Sequence, residues 1–156
     1  MYKEEEYEMF AKKMETKFPE MFAGKYGGFA VGTGWWPILE ALCSQIDGHS
    51  KWRNNTREAL LKNNPHNHKI PDAVPQVTVE QIKEKFGGLR FYYQGGDDTV
   101  DGMVRMAEMW AGQVCEECGK PGTRRSGGWI KTLCDEHEAE RQKRYETYAK
   151  NNGLEL

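Results

Sequence analysis

Apolar residues recur at helical spacing along much of this chain and alternate as a strand in one clear place. From residue 3 to residue 18, Tyr7, Phe10, Met14 and Phe18 fall on one side with Lys and Glu on the other. Pro19 then stops the run, so the first element is an amphipathic helix. The stretch AGKYGGFAVGTGWWP is glycine-rich, turns tightly, and leaves room for a short strand at Phe29 and Val31. Pro37 suits the first position of a second helix, where Leu39, Leu42, Cys43 and Ile46 make one buried stripe until Asp47-Gly48 ends it.

NNTREALLKNNPHNHKIPDAVP is rich in Asn and Pro. Thr56 can cap a short helix through Lys62, and the remainder reads as a long loop. Thr78 and Gln81 form a capping box, Val79, Ile82 and Phe86 share a helical face, and Gly87 can close that helix in the left-handed region. The run from Val77 to Val79 keeps a strand open as the alternative. LRFYY is the clear strand, with Leu89, Phe91 and Tyr93 on one face and Arg90 and Tyr92 on the other, and Gly95-Gly96 turns the chain after it. Asp98 or Thr99 caps a further helix, whose apolar face (Val100, Met103, Val104, Ala107, Trp110, Ala111, Val114) runs into Cys115. The last helix, HEAERQKRYETYAK, is almost wholly charged; it is expected to extend outward or to pack on a neighbouring subunit of a homo-oligomer.

These elements describe an α+β fold: a small helix-rich domain over residues 1–114 with a short antiparallel sheet, followed by a zinc-finger module with a C-terminal helix over residues 115–156. The 156 residues suffice for one core with a stapled end and are too few for two full domains. Aromatic residues make up 12% of a chain with few Val and Ile, so aromatic rings must fill much of the core. No apolar run approaches the length of a membrane span, and MYKEEEYEMF is charged where a signal peptide is apolar, so a cytoplasmic protein is expected. A formal net charge of -2 provides no global attraction to nucleic acid or acidic membranes, which confines anion binding to local patches.

The densest chemistry lies in CEECGKPGTRRSGGWIKTLCDEH. Cys115-x2-Cys118, a spacer of fifteen residues and Cys134-x2-His137 supply four ligands, the number that tetrahedral zinc requires. Knuckle, Gly-turned hairpin and helix start make the segment similar to a treble-clef finger. A hydrolytic zinc keeps an open position for water and this set leaves none, so the expected role is structural.

No ordered nucleophile-base set occurs elsewhere; Cys43 reads as a small core residue, and Gly32-x-Gly34 lacks the rest of a dinucleotide fingerprint and reads as a turn. A non-enzymatic protein is expected. The groups suited to a planar anionic ligand are Trp35, Trp36, Trp52, Tyr92 and Trp129 for stacking, and Arg53, Lys85, Arg90, Arg124 and Arg125 for phosphate, each weighed against a plain core or solvated role.

GTGWWPILEALC, QIKEKFGGLRFYY, and CEECGKPG with GGWIKTLCDEH occur here in series. Over about residues 18 to 138 the chain resembles a family of small phage-encoded proteins of unassigned activity that carry these motifs in this order. The resemblance implies zinc at Cys115, Cys118, Cys134 and His137, and an accessory role inside a bacterial host. Phage accessory proteins of this size often act against host defence, so the leading expectation is capture of a nucleotide-like immune signal. The alternatives are a zinc-finger regulator bound to DNA or RNA, which the acidic balance disfavours, and an inhibitor of a host protein acting through the charged last helix.

Overall fold

A computed structural model describes residues 4–154; the expected start of the first helix at residue 3 lies outside the described residues. The first helix, α1, runs Glu4–Lys17 with three glutamates in its first turn and Lys17 in its last, the arrangement that the helix dipole favours. It buries Phe10 and Met14. Phe10 stacks on Trp36 with ring centroids 4.4 Å apart and meets Phe29 edge-on at 4.8 Å. Phe22 and Tyr26 extend this group, so aromatic rings fill one side of the core as the composition requires.

Strand β1 is Phe29–Ala30, and a single 3-10 turn at Thr33–Trp35 leads into helix α2, Trp36–Asn63. The sequence predicted an end at Asp47-Gly48 and a separate short helix capped by Thr56; instead one helix of 28 residues passes through both. A glycine inside a helix costs only about 1 kcal/mol, and tertiary anchors on the second half offset it. Asn54 holds Val74 in both directions (Nδ2 to the carbonyl at 3.1 Å, backbone N–H to Oδ1 at 2.8 Å), tying the long loop to the helix. His49 reaches Asp97 at 2.9 Å, and Lys51 pairs with Asp47 one turn back at 2.8 Å.

Residues Thr78–Lys85 form strand β2, not the capping-box helix, and pair antiparallel with β3, Gly88–Gln94. The register shifts between Val79 and Gln81. That irregularity puts Val79 and Ile82, three residues apart, on the same buried face and so imitates a helical period. Phe86, the third member of the expected helical face, is in the turn and 62% exposed. β1 lies parallel to β2, Phe29 opposite Ile82, so the three-stranded sheet is mixed rather than antiparallel throughout, and α2 lies on the connection that parallel pairing needs.

Helix α3, Asp98–Ala111, is capped one residue earlier than expected: the Asp97 side chain accepts from Val100 N–H at 3.0 Å. Val100, Val104, Ala107 and Ala111 are its buried stripe, whereas Trp110, expected on that face, is 56% exposed. Strands β4, Thr123–Arg125, and β5, Lys131–Leu133, make the expected hairpin, and α4, Asp135–Asn152, follows. α4 is anchored near its start by Arg141, which is buried and donates to the Trp129 carbonyl at 2.6 Å. No described helix is long and apolar enough to cross a membrane.

Candidate functional site: a metal cluster and an arginine cleft

The segment CEECG leaves α3 and folds back on itself, Gly119 donating its N–H to the Cys115 carbonyl at 2.9 Å with a φ of 77°. The second pair arrives from the hairpin, with Cys134 at the N-cap of α4 and His137 in its first turn. One donor atom from each of Cys115, Cys118, Cys134 and His137 lies within 4.8 Å of every other. Cys118 Sγ and Cys134 Sγ are 3.8 Å apart, and His137 Nδ1 is 3.5 Å and 3.2 Å from the sulfurs of Cys115 and Cys134. A tetrahedral ion with thiolate bonds of about 2.3 Å and imidazole bonds of about 2.0 Å needs edges of about 3.8 Å and about 3.5 Å, so the donor set fits such an ion. The Cys134 thiol is pulled down to about 7, first by the backbone N–H of His137 at the helix start and then by the imidazole, which favours the thiolate that a metal takes.

The knuckle is locked to the rest of the fold by the Gly-Thr-Gly-Trp turn. Gly34 N–H donates to the Glu116 carbonyl at 2.7 Å, Thr33 Oγ1 to the Glu117 carbonyl at 2.9 Å, and Trp35 Nε1 to the Val114 carbonyl at 2.8 Å. A Cβ on Gly34 would lie 2.1 Å from the Cys115 carbonyl oxygen, and one on Gly32 would lie 2.3 Å from that of Glu116, so only glycine permits this approach. The Glu116 carboxylate, buried with its residue 2% exposed, accepts from Gly32 N–H and from Lys131 Nζ, each at 3.0 Å. Burial pushes that carboxyl up, and the Lys131 ammonium pulls it part of the way back.

On another side of the same module, β4, α3 and the β2–β3 hairpin enclose a cleft of about 540 Å³, lined by Arg90, Arg105, Arg124, Glu108, Met109 and Thr132 among others. Glu108 is committed, accepting from the N–H of Phe91 at 2.9 Å along the open edge of β3. Arg90 donates only to the neighbouring Leu89 carbonyl at 2.8 Å. Arg105 and Arg124 make no hydrogen bond or ion pair with another described residue. Three arginines thus line a cleft whose one carboxylate, Glu108, makes no ion pair with any of them.

A second cleft, of about 330 Å³, adjoins the first across Phe86 and is lined by Glu84, Lys85, Phe86, Gly128, Trp129 and Ile130. Lys85 Nζ stands 5.6 Å from the centre of the Phe86 ring.

Comparison of the chain with family models, with curated proteins and with solved structures finds no match.

Of the ten residues expected to suit a ligand, the fold gathers Arg90 and Arg124 in the first cleft and Lys85 and Trp129 in the second. The other six are elsewhere, Trp52 among them, exposed on the second half of α2. Trp35 is fully buried and offers no surface, and Trp36 is stacked on Phe10. Arg53 lies on the second half of α2, Tyr92 is on the outer sheet face with Lys83 5.4 Å from its ring, and Arg125 is tied to Asp135 at 2.5 Å and to the Leu133 carbonyl. The sequence reading missed Arg105 and Phe86. The signal for Arg105 was available: Arg105, Glu108, Met109 and Gly112 fall three and four apart, a second stripe beside the buried one on α3.

Proposed function

We propose that the protein is a non-enzymatic binder of a small, phosphate-bearing, nucleotide-like molecule, with the arginine cleft as its receptor and a structural zinc ion holding one wall in place. The observation that supports this reading is that Arg90, Arg105 and Arg124 line one cleft with a single carboxylate, Glu108, that pairs with none of them, which leaves an excess of positive charge. Guanidinium forks match phosphate oxygens in pairs, and a cluster of like charge is stabilised by an anion that brings compensating charge. The cleft contains no residue placed as a nucleophile beside a base, so capture rather than turnover is the chemistry it suits.

Zinc is the ion that suits three thiolates and an imidazole, and four protein ligands leave it no position for a reacting water. It would supply a fixed junction of knuckle, hairpin and helix, in the manner of a treble clef, and hold Arg124 opposite Arg90 and Arg105. The resemblance to phage-encoded proteins gives this capture a role, namely removal of a nucleotide immune signal in a bacterial host.

Calorimetric titration of the zinc-loaded protein with pyrophosphate, ADP-ribose and cyclic di- and trinucleotides tests the reading. Saturable binding of at least one of them, weakened tenfold or more by Arg105→Gln and by Arg124→Gln, supports it. Absence of heat with every probe removes it. Binding of single-stranded oligonucleotides alone, with a steep salt dependence, would favour a nucleic-acid regulator instead. Metal analysis should return about one zinc per chain.

A further inference from the structure

We infer that the Phe86–Trp129 cleft is a subsite for the planar ring of the captured molecule, seated beside the arginine cleft that takes its phosphate. This inference rests on the anion-capture reading and adds a second contact to it. Its first support is the backbone of Phe86. With Lys85 opposite Gly88, Phe86 and Gly87 are the two central residues of a tight hairpin turn and both have positive φ, 53° and 76°. Asn, Asp or Gly fills the first of these positions at little cost, whereas a phenylalanine there is strained.

Burial does not offset the strain, because the ring is 62% exposed and lies outside the core. The turn is forced into place from several sides. Glu84 Oε1 accepts from Gly87 N–H at 2.6 Å, and the buried Thr132 Oγ1 donates to the Gly87 carbonyl at 2.6 Å. A residue that is both strained and solvent-facing, held by surroundings that over-determine it, is what a ligand contact looks like before the ligand arrives.

Trp129 supplies the second support. Its ring is 68% exposed, yet its position is fixed at two points: the carbonyl by Arg141 and the indole N–H by Glu84 Oε2 at 3.2 Å. With the residue 68% exposed and no ring contact to another described side chain, much of the indole faces the solvent. Phe86 and Trp129 line one cleft without stacking on each other, and Phe86 also lines the arginine cleft. A molecule with its phosphate on Arg90, Arg105 and Arg124 would therefore bring an attached base to Phe86 and Trp129. Every nucleobase offers a π face to such rings, so this contact reads planarity and leaves base identity open.

The full-length, zinc-loaded protein should be titrated with AMP and with ribose 5-phosphate, which share sugar and phosphate and differ in the base. The wild type should bind AMP about tenfold or more tightly than ribose 5-phosphate, the range that base stacking on an aromatic side chain gives. Trp129→Ala should remove most of that preference while leaving ribose 5-phosphate affinity within about twofold; Phe86→Asn, at a residue that also lines the arginine cleft, should remove most of the preference as well. Phe86→Asn should in addition raise Tm by a few degrees, since it installs the residue that the turn prefers. Equal affinity of the wild type for the two probes overturns the subsite, as does a preference that survives both substitutions, even where ribose 5-phosphate binding by the arginines stands. Failure of both probes to bind wild type, with pyrophosphate also silent, overturns the capture reading and the subsite together.

Discussion

The Cys/His segment has two faces, and they treat polar groups in opposite ways. On the face toward the Gly-Thr-Gly-Trp turn, the carbonyls of Val114, Glu116 and Glu117 are accepted partners of Trp35, Gly34 and Thr33, and the one buried carboxylate, Glu116, is paired with Lys131. On the face toward α3 and the hairpin turn, three arginines share a cleft with one carboxylate, Glu108, that pairs with none of them, beside a phenylalanine at positive φ and an exposed tryptophan. The difference separates polar groups that the fold satisfies from charges that it leaves without an ion pair, and the proposed capture draws on the second set.

Removing the metal should break the first face most severely and take the second with it. In the absence of the ion, Cys115, Cys118, Cys134 and His137 have nothing to justify their proximity, and structural zinc sites commonly contribute as much as folding itself. Chelation of the ion, or Cys134→Ser, should therefore melt the β4–β5 hairpin and the start of α4. Loss of circular-dichroism signal and release of zinc to a colorimetric dye would report it. Anion binding should disappear in parallel although no zinc ligand lines the arginine cleft, because Arg124 is carried on β4.

Gly34→Ala strikes the same seam from the other side, without touching a metal ligand. The added Cβ would lie 2.1 Å from the Cys115 carbonyl oxygen and 2.5 Å from the Gly119 nitrogen, both backbone atoms of the knuckle that cannot swing aside. Overpacking against backbone should cost more than about 3 kcal/mol, or roughly 10 °C in Tm for a chain of this size. Gly48→Ala is the control. Gly48 lies inside α2 with nothing within 4 Å of a Cβ, and the change should stabilise by up to about 1 kcal/mol.

That pair of glycines also shows what the sequence could and could not disclose. The gathering of Cys115, Cys118, Cys134 and His137 into one cluster was legible because tetrahedral coordination dictates residue type and spacing, and both are present in the chain. Strand β3 was legible from its alternation. By contrast, Gly32 and Gly34 read as a turn, since nothing local says that a knuckle eighty residues away will press against them. β2 imitated a helix because its bulge shifts the period of two toward three, and α2 outran its predicted end because Asn54, His49 and Lys51 anchor residues that propensity alone would have released. The arginine cleft lies across three elements, so its members were named only in part: Arg90 and Arg124 by composition of their neighbourhoods, while Arg105 was passed over although its stripe with Glu108, Met109 and Gly112 could be read on α3.

Lys131→Met should sharpen the contrast through pH. Glu116 has its carboxyl raised by burial, so its contribution to stability is present in full below the unfolded value near 4.5 and is lost as pH rises through the folded value. Lys131 limits that loss. Without the ammonium at 3.0 Å, the ionised carboxylate stays buried beside Gly32 with no opposing charge. The variant should be about 2 kcal/mol less stable near pH 8, a discount on the usual figure for a broken buried pair because Lys131 is partly exposed. The deficit should shrink as pH falls toward the ordinary carboxylate range, because Glu116 takes up a proton more readily in the variant. Denaturant unfolding across that range, with zinc in excess, measures it; a deficit that does not change with pH would mean that lost packing, not charge, is what the lysine supplied.

The smallest expected effect on stability bears most directly on the comparison. Arg105→Gln and Arg124→Gln remove groups that make no hydrogen bond or ion pair with another described residue, and both residues are exposed, so neither should change unfolding free energy by more than about 0.5 kcal/mol. The double variant should be unchanged or slightly more stable, because it relieves repulsion among three like charges in one cleft. Where the seam loses its fold to a single methyl group, the cleft should lose two charges and keep its Tm. A large destabilisation by either arginine substitution would show that these side chains support the fold after all, and the cleft would then be a second seam and not a receptor.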